Sequence, residues 1–300
     1  MTTIGFIGLG IMGRPMAVNL QKAGFDVRGY APTPSSADAL VAAGGTRAES
    51  VAAAVKDADV IAVMVPDSPD VQEVLAGPDG VFANTPKGAL VIDFSSIRPD
   101  VTAELAKQAK AAGLRILDAP VSGGEPGAVQ ATLSIMVGGD GADFAAAMPV
   151  FEKVGKTIVH VGPNGAGQTV KAANQLIVAA NIQALAEAIV FLEAYQVDTA
   201  AAIQVLGGGL AGSAVLNQKA PKMLERSFEP GFRIDLHYKD MGIVTAASRE
   251  AGLVLPLGAF MAQLLASARA QGDGKLDHSA LFQGVRRLSG LSGQPERNQA

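Results

Sequence analysis

The 300-residue chain has no cysteine and no tryptophan, and only three histidines and three tyrosines. Without cysteine there is no disulfide, no thiolate metal ligand and no cysteine nucleophile. His160, His237 and His278 stand far apart without the spacing of metal ligands. Each reads as a structural or surface side chain, and no metal site is expected. Charged residues are scarce, at 17%, and the formal net charge is −4. Lysine and arginine form no stripe, which argues against nucleic acid as a partner. No basic segment precedes the N-terminal apolar residues, and glycines interrupt those at once, so no signal peptide is read. The longest apolar stretch, Ala172–Ala194, carries Asn174, Gln175, Asn181, Gln183, Glu187 and Glu193. That is too polar for a membrane span and suits a buried helix. The default expectation is a cytoplasmic protein without membrane contact.

Hydrophobic residues make up 49% of the chain, enough for a sizeable core in one large or two ordinary domains. The first half alternates strand-like runs (Ile4–Ile7, Val27–Tyr30, Val60–Val65, Ala89–Ile92, Arg115–Leu117, Ser134–Val137, Ile158–His160) with helical stretches (Arg14–Ala23, Ser36–Ala43, Ser50–Lys56, Ser68–Leu75, Val101–Ala112). Such alternation predicts crossover units and a mostly parallel, doubly wound sheet of the Rossmann type. After about Gly165 strand signals stop. A long helix is expected over Gln168–Tyr195, followed by helices over Thr199–Leu206, Ser213–Gln218, Ile234–Ala251 and Leu257–Gln271. The expected organisation is a dinucleotide-binding α/β domain over 1–163 and an all-helical domain over 164–300, joined at the loop Gly162–Gly167. From about Ser289 the tail is polar and reads as loosely ordered.

Gly8, Gly10 and Gly13 form G-x-G-x-x-G between the first strand and the first helix. In that context Gly8 permits the tight turn, Gly10 the approach of a pyrophosphate, and Gly13 close helix–strand packing. Leu9, Ile11 and Met12 complete the expected cofactor-binding turn, and the helix N-terminus adds free N–H groups. The second strand ends Arg28-Gly29-Tyr30-Ala31-Pro32-Thr33, with no acid to grip an adenosine ribose. Thr33, Ser35 and Ser36 offer hydroxyls to a 2′-phosphate, a mild preference for NADP. The alternative is a loop that touches no ribose. Met64, Val65, Pro66 and Ser96 follow the next two strands, where ligands sit on parallel sheets, or they are plain turn residues.

Residues 118–128, DAPVSGGEPGA, lie between two apolar runs and contain no bulky side chain. Backbone N–H groups of Ser122, Gly123 and Gly124, with the Ser122 hydroxyl, can approach a small anion. A tight packed connection accounts for the same residues equally well. On the long helix Lys171, Asn174 and Gln175 share one face. A lysine among so many apolar neighbours is costly unless paired or solvated, and partial burial suits it to proton transfer; a snorkelling lysine is the plainer reading. The stretch Phe232–Asp240, FRIDLHYKD, reads from its residues alone as a solvated, salt-bridged helix surface.

Taken together, GFIGLGIMGRPMAVNL, DAPVSGGEPGA, GAGQTVKAANQ and GFRIDLHYKD occur in the order found in the β-hydroxyacid dehydrogenase family, which the chain resembles over essentially its whole length. The segment Gly208–Pro221 leans toward that family's tartronate semialdehyde reductase branch. The resemblance implies that Lys171 is the catalytic acid/base and that Ser122, Gly123 and Gly124 hold the substrate carboxylate. It implies that Asn174 orients substrate, with Gln175 beside it. Ser96 and Lys239 match cofactor-contacting positions, Lys239 closing over the cofactor. It further implies NAD(P)H-dependent reduction of a small semialdehyde acid, tartronate semialdehyde, to D-glycerate, and a homodimer or homotetramer built on the helical domain. Other short β-hydroxyacids (3-hydroxyisobutyrate, L-threonate), imine reduction, and a non-catalytic nucleotide-binding regulator are the competing readings. Ala31-Pro32 departs from the family's Asp-Arg or Asn-Arg and leaves the choice of cofactor open.

Overall fold

The computed structural model describes residues 1–291; most of the expected polar tail, from residue 292, lies outside the described residues. Packing divides the chain into two units, Met1–Lys171 and the residues from Ala172 onward.

The first unit runs β1 (Thr3–Ile7), α1 (Gly13–Lys22), β2 (Asp26–Tyr30), α2 (Asp38–Ala42), β3 (Thr46–Arg47), α3 (Val51–Val55), β4 (Val60–Val63), α4 (Ser68–Ala76), α5 (Val81–Asn84), β5 (Leu90–Asp93), α6 (Pro99–Ala111) and β6 (Arg115–Asp118). It continues with β7 (Val121–Ser122), α7 (Gly124–Val129), β8 (Leu133–Gly138), α8 (Gly141–Phe151), β9 (Gly155–Gly162) and the first turns of α9 (Ala166–Ala194). The sheet order is β3-β2-β1-β4-β5-β6-β8-β7, with β9 added on β8. From β3 to β6 every pairing is parallel; β8 runs antiparallel to β6 and β7. The order 3-2-1-4-5-6 is that of a doubly wound dinucleotide fold.

The pattern of apolar residues explains both layers. Ile4, Phe6, Val60, Ala62, Leu90 and Ile92 point to one face and pack with Met16 and Leu20 of α1. Ile7, Ile61, Val63 and Val91 point to the other and pack with Leu105 of α6 and Leu75 of α4. Strands buried on both faces read as continuous apolar runs, because alternation leaves neither side to water. Pro66 and the capped start of α4, where Asp67 accepts from Ser68 N–H and Asp70 accepts from Asp67 N–H, end β4 at Val63, two residues short of the sequence expectation.

Five elements of this unit go beyond the sequence expectation: the two-residue β3 and the single turn α5, and β7, α7 and α8. The connection 118–128 is not loop throughout but holds β7 and α7. Gly123 and Gly124 take φ of +140° and +63°, which ends the strand. Pro126 then sits in the first turn of a helix, where its missing N–H costs nothing. Helix α8 is capped by Asp140, whose carboxylate accepts from Ala142 N–H. Its Gly141 and Pro149 masked the helical period.

The second unit contains the rest of α9, then α10 (Thr199–Gly208), α11 (Ala214–Leu224), α12 (Ile234–Glu250), α13 (Pro256–Ala270) and α14 (Leu281–Leu288). Among the described residues its only β pairing is the bridge Arg233–Asp277. By length and composition α9 could cross a bilayer, but Ala179, Ile182, Ala186 and Ile189 are wholly buried in the core with Met223, Met241, Leu265 and Phe282. Helix α14 goes beyond the sequence expectation: it is amphipathic, but only eight residues long, with an internal glycine and two arginines. It forms because Leu281 and Phe282 enter that core and Arg226 stacks its guanidinium 4.2 Å from the Phe282 ring.

Candidate active site

The turn from β1 to α1 is built by glycines that do different jobs. Gly8 has φ +98°, and a Cβ there would meet the Met64 carbonyl oxygen at 2.2 Å. A Cβ on Gly13 would lie 1.9 Å from the Gly8 carbonyl oxygen. Gly10 differs: it is exposed, and a Cβ would meet nothing within 4 Å. Leu9 is buried in the core, while Ile11 is exposed beside Gly10 and Met12 is half-buried. No side chain caps α1 and no acid lies in its first turn. An open, uncapped, positively polarised helix end fits a pyrophosphate, so the residues present suit a dinucleotide.

The parallel strands bring their carboxyl ends to one edge. Thr33 follows β2 as an exposed residue with no carboxylate beside it in sequence. Met64, Val65 and Pro66 follow β4; Val65 N–H donates to Ser95 Oγ at 3.0 Å. Ser95 is buried, its own N–H held by Asp93 Oδ1, and Ser96 is half-buried next to it. The topology therefore gathers the expected cofactor residues of this unit at the edge where ligands bind doubly wound sheets.

The next strands bring the remaining candidate residues of this unit together. Asp118, at the end of β6, is 1% exposed. Its Oδ1 accepts from Gly165 N–H at 2.8 Å and its Oδ2 from Gln168 N–H at 3.1 Å. Burial pushes its carboxyl above the usual carboxylate range, and these donors pull the other way. Gln168 is buried too: its Nε2 donates to Ser95 O and its Oε1 accepts from Ile97 N–H. One turn on, Lys171 is 8% exposed and its Nζ donates to Val121 O at 2.8 Å. Val121 precedes Ser122, Gly123 and Gly124, the last two held at positive φ. The lysine is thus a buried, hydrogen-bonded group beside the small-residue turn, not a snorkelling one. Neither Asp118 nor Gln168 was singled out from the sequence. The signal for the first was an acid at a strand end followed only by small residues.

In the helical unit Asn174 Nδ2 donates to Gln175 Oε1, and Gln175 Nε2 donates to Asp240 Oδ2 at 2.5 Å. Lys239 Nζ lies 3.0 Å from the other oxygen of Asp240. Gln175 and Asp240 are both buried, so the side-chain amide of Gln175 is engaged within its own unit. The stretch 232–240 is not the solvated surface that its charges suggested: His237 and Asp240 are inside, while Asp235 pairs with Arg269 at the surface. His237 and His278, far apart in sequence, meet with their Nδ1 atoms 3.0 Å apart. Burial, with His237 and Lys219 nearby, pushes His278 well below the usual imidazole range. Asp277 is buried as well, and His278 and Lys219 beside it, with the Ser279 and Phe232 donors, outweigh the burial and hold it well below the carboxylate range. Among the described residues no group of His, Asp and Glu could hold a metal ion.

Comparison with known proteins gives the family. Residues 3–162 match the family described as the NAD binding domain of 6-phosphogluconate dehydrogenase. Residues 165–285 match the NAD-binding region of NADP-dependent 3-hydroxyisobutyrate dehydrogenase. The chain is 45% identical over 282 residues to 2-hydroxy-3-oxopropionate reductase of Escherichia coli K12, covering 94% of this chain and 96% of that protein. It is 37% identical over 290 residues to 2-(hydroxymethyl)glutarate dehydrogenase of Eubacterium barkeri, covering 96% of each. Mycobacterium tuberculosis 3-hydroxyisobutyrate dehydrogenase, solved with L-serine, superposes with a TM-score of 0.87 at 36% identity, covering 95% of this chain and 99% of that one. With matches running through both units, the chain belongs to the β-hydroxyacid dehydrogenase family and is an oxidoreductase that acts on CH–OH groups with a nicotinamide cofactor.

Proposed function

We propose that the chain reduces tartronate semialdehyde (2-hydroxy-3-oxopropionate) to D-glycerate, reversibly, with Lys171 as the general acid. The observation that carries this reading is the 2.8 Å bond from Lys171 Nζ to Val121 O. It holds an ammonium one residue from the Ser122–Gly124 turn, where a carboxylate can lie on backbone N–H groups and the Ser122 hydroxyl. A reduced nicotinamide bound there would supply the hydride. Lys171 gives its proton to the oxygen that becomes the alcohol and regains one from water; in oxidation it takes that proton. Asn174, one turn along the same helix face, orients the substrate, and Gln175 steadies Asn174 through the bond between their amides. Gly8 to Gly13, Met64, Val65, Pro66 and Ser96 hold the cofactor, and Lys239 joins them on the family pattern. The hydroxyls of Thr33, Ser35 and Ser36, with no carboxylate at the end of β2 to repel a phosphate, support a mild preference for NADP.

Lys171→Ala is expected to lower kcat by roughly 10²–10⁴-fold while NADPH binding, followed by cofactor fluorescence, stays within a few-fold. A fully active variant ends the assignment. Initial rates with tartronate semialdehyde, 3-hydroxyisobutyrate and L-threonate, each with both cofactors, decide the substrate. Saturable cofactor binding without turnover on any of them would favour the regulator.

Exposed apolar side chains in the helical unit, among them Phe191, Tyr195, Val205 and Leu210, support a homodimer or homotetramer. The reading also places the enzyme in the cytoplasm.

A further inference from the structure

We infer that Asp118 is a positioning residue that sets the rotation of α9 and so aims Lys171; this rests on Lys171 being the proton donor. Helix α9 begins at Ala166, which makes Gly165 its cap residue and Gln168 its third. The first N–H groups of a helix have no partner within it. Here the carboxylate that takes two of them comes from the end of β6, 47 and 50 residues earlier in the chain. A capping acid adjacent in sequence holds the end of a helix. One carboxylate accepting from the cap residue and the third residue at once, from a strand end, also fixes how far the helix is turned about its axis.

The fit around that carboxylate is built for it. A Cβ on Gly167 would lie 2.8 Å from both Asp118 O and Oδ2, and one on Gly138 would lie 2.6 Å from Oδ1. Only bare backbone fits at either place. Lys171 follows Gln168 by three residues, on the same helix face, and Val121 follows Asp118 by three. The two segments are therefore joined by two rungs: the Asp118 carboxylate on the first turn of α9, and Lys171 Nζ on Val121 O. A turn of the helix by one residue would move Lys171 through about 100° and take its ammonium away from Ser122. Burying a carboxylate is costly, and β6 and α9 could be joined without one. What the carboxylate adds is a single angular setting.

The test is Asp118→Asn. Its amide can accept at one position but presents N–H to the other donor, so one of the two cap bonds is lost at nearly constant volume. The expected result is a 10- to 100-fold lower kcat, with substrate KM and NADPH affinity within about threefold of wild type. The solvent deuterium isotope effect on kcat should rise, because proton donation becomes limiting. A kcat within twofold of wild type overturns the inference, as does an equal loss of kcat and cofactor affinity, which marks general loosening. Should Asp118→Asn fail to fold, Gly165→Ala strains the same cap from the helix side, at φ +93°, and the same two criteria decide. If Lys171→Ala is fully active the acid assignment itself fails; if it is inactive while Asp118→Asn is normal, only the positioning role fails.

Discussion

At the scale of single residues the glycines of the first turn separate packing from ligand approach. Gly13→Ala drives a Cβ into the Gly8 carbonyl at 1.9 Å, so the variant should lose about 1–3 kcal/mol of stability, measured by chemical denaturation. Gly10→Ala meets nothing within 4 Å and should change stability by less than ~0.5 kcal/mol. It should nonetheless weaken NADPH binding by roughly tenfold or more, read by fluorescence titration, because the methyl occupies the open side where the pyrophosphate approaches. A Gly10→Ala protein with normal affinity would place the phosphates elsewhere. These glycines were legible in the sequence because their demands are local: a tight turn and close approach follow from spacing after a strand. The partners of Lys171 were not, because Val121 lies 50 residues away and a hydrogen bond to a carbonyl leaves no trace in residue identity.

At the scale of elements, α1 and α7 are tied by one side chain. Asn19 Nδ2 on α1 donates to Ala128 O at 2.8 Å and lies 3.4 Å from Val129 O. It adds a side-chain donor to carbonyls of the last turn of α7, and so joins the cofactor helix to the helix that follows the Ser122–Gly124 turn. Asn19→Ala should cost about 0.5–1.5 kcal/mol and raise substrate KM more than cofactor Kd, since α1 remains packed through Met16 and Leu20. Equal effects on both would show that the tie is only structural. Periodicity revealed α1, α6 and α9 because each is long or strongly patterned. It missed α5, a single turn, and α7, α8 and α14, which carry glycine or proline; such helices form only where packing outweighs the cost of nucleation.

At the scale of the molecule, two properties remain to be measured. The first is acid stability. His278, buried and facing His237, Lys219 and Asp277 in the helical unit, is held well below the ordinary imidazole value of 6.5. The folded state therefore binds fewer protons than the unfolded state once the pH falls below 6.5, and stability falls with it, by up to ~1.4 kcal/mol per pH unit from this one group. Asp277, with its lowered pKa, stays charged through that window and loses its contribution only below 3.8. His278→Asn should show a flatter denaturation midpoint between pH 6.5 and 5 than wild type; an equally steep variant would assign the acid limb to other groups. The second is assembly. Phe191→Asp should reduce the mass seen by light scattering if that exposed side chain lies in a subunit contact.

The order of β and α segments, the dinucleotide turn and the change to all-helical structure after Gly165 were set by local pattern alone. Apolar runs buried on both faces, and glycines at turns, leave a sequence signal that needs no knowledge of what packs against them. The meeting of Asp118 with α9, of Lys171 with Val121, and of His237 with His278 was decided only when distant segments packed. The carboxylate, the ammonium and the imidazoles each had several possible surroundings in sequence, buried or solvated. Burial and hydrogen bonding in the folded chain selected one, and in the first unit that selection put an ammonium beside a turn of bare backbone.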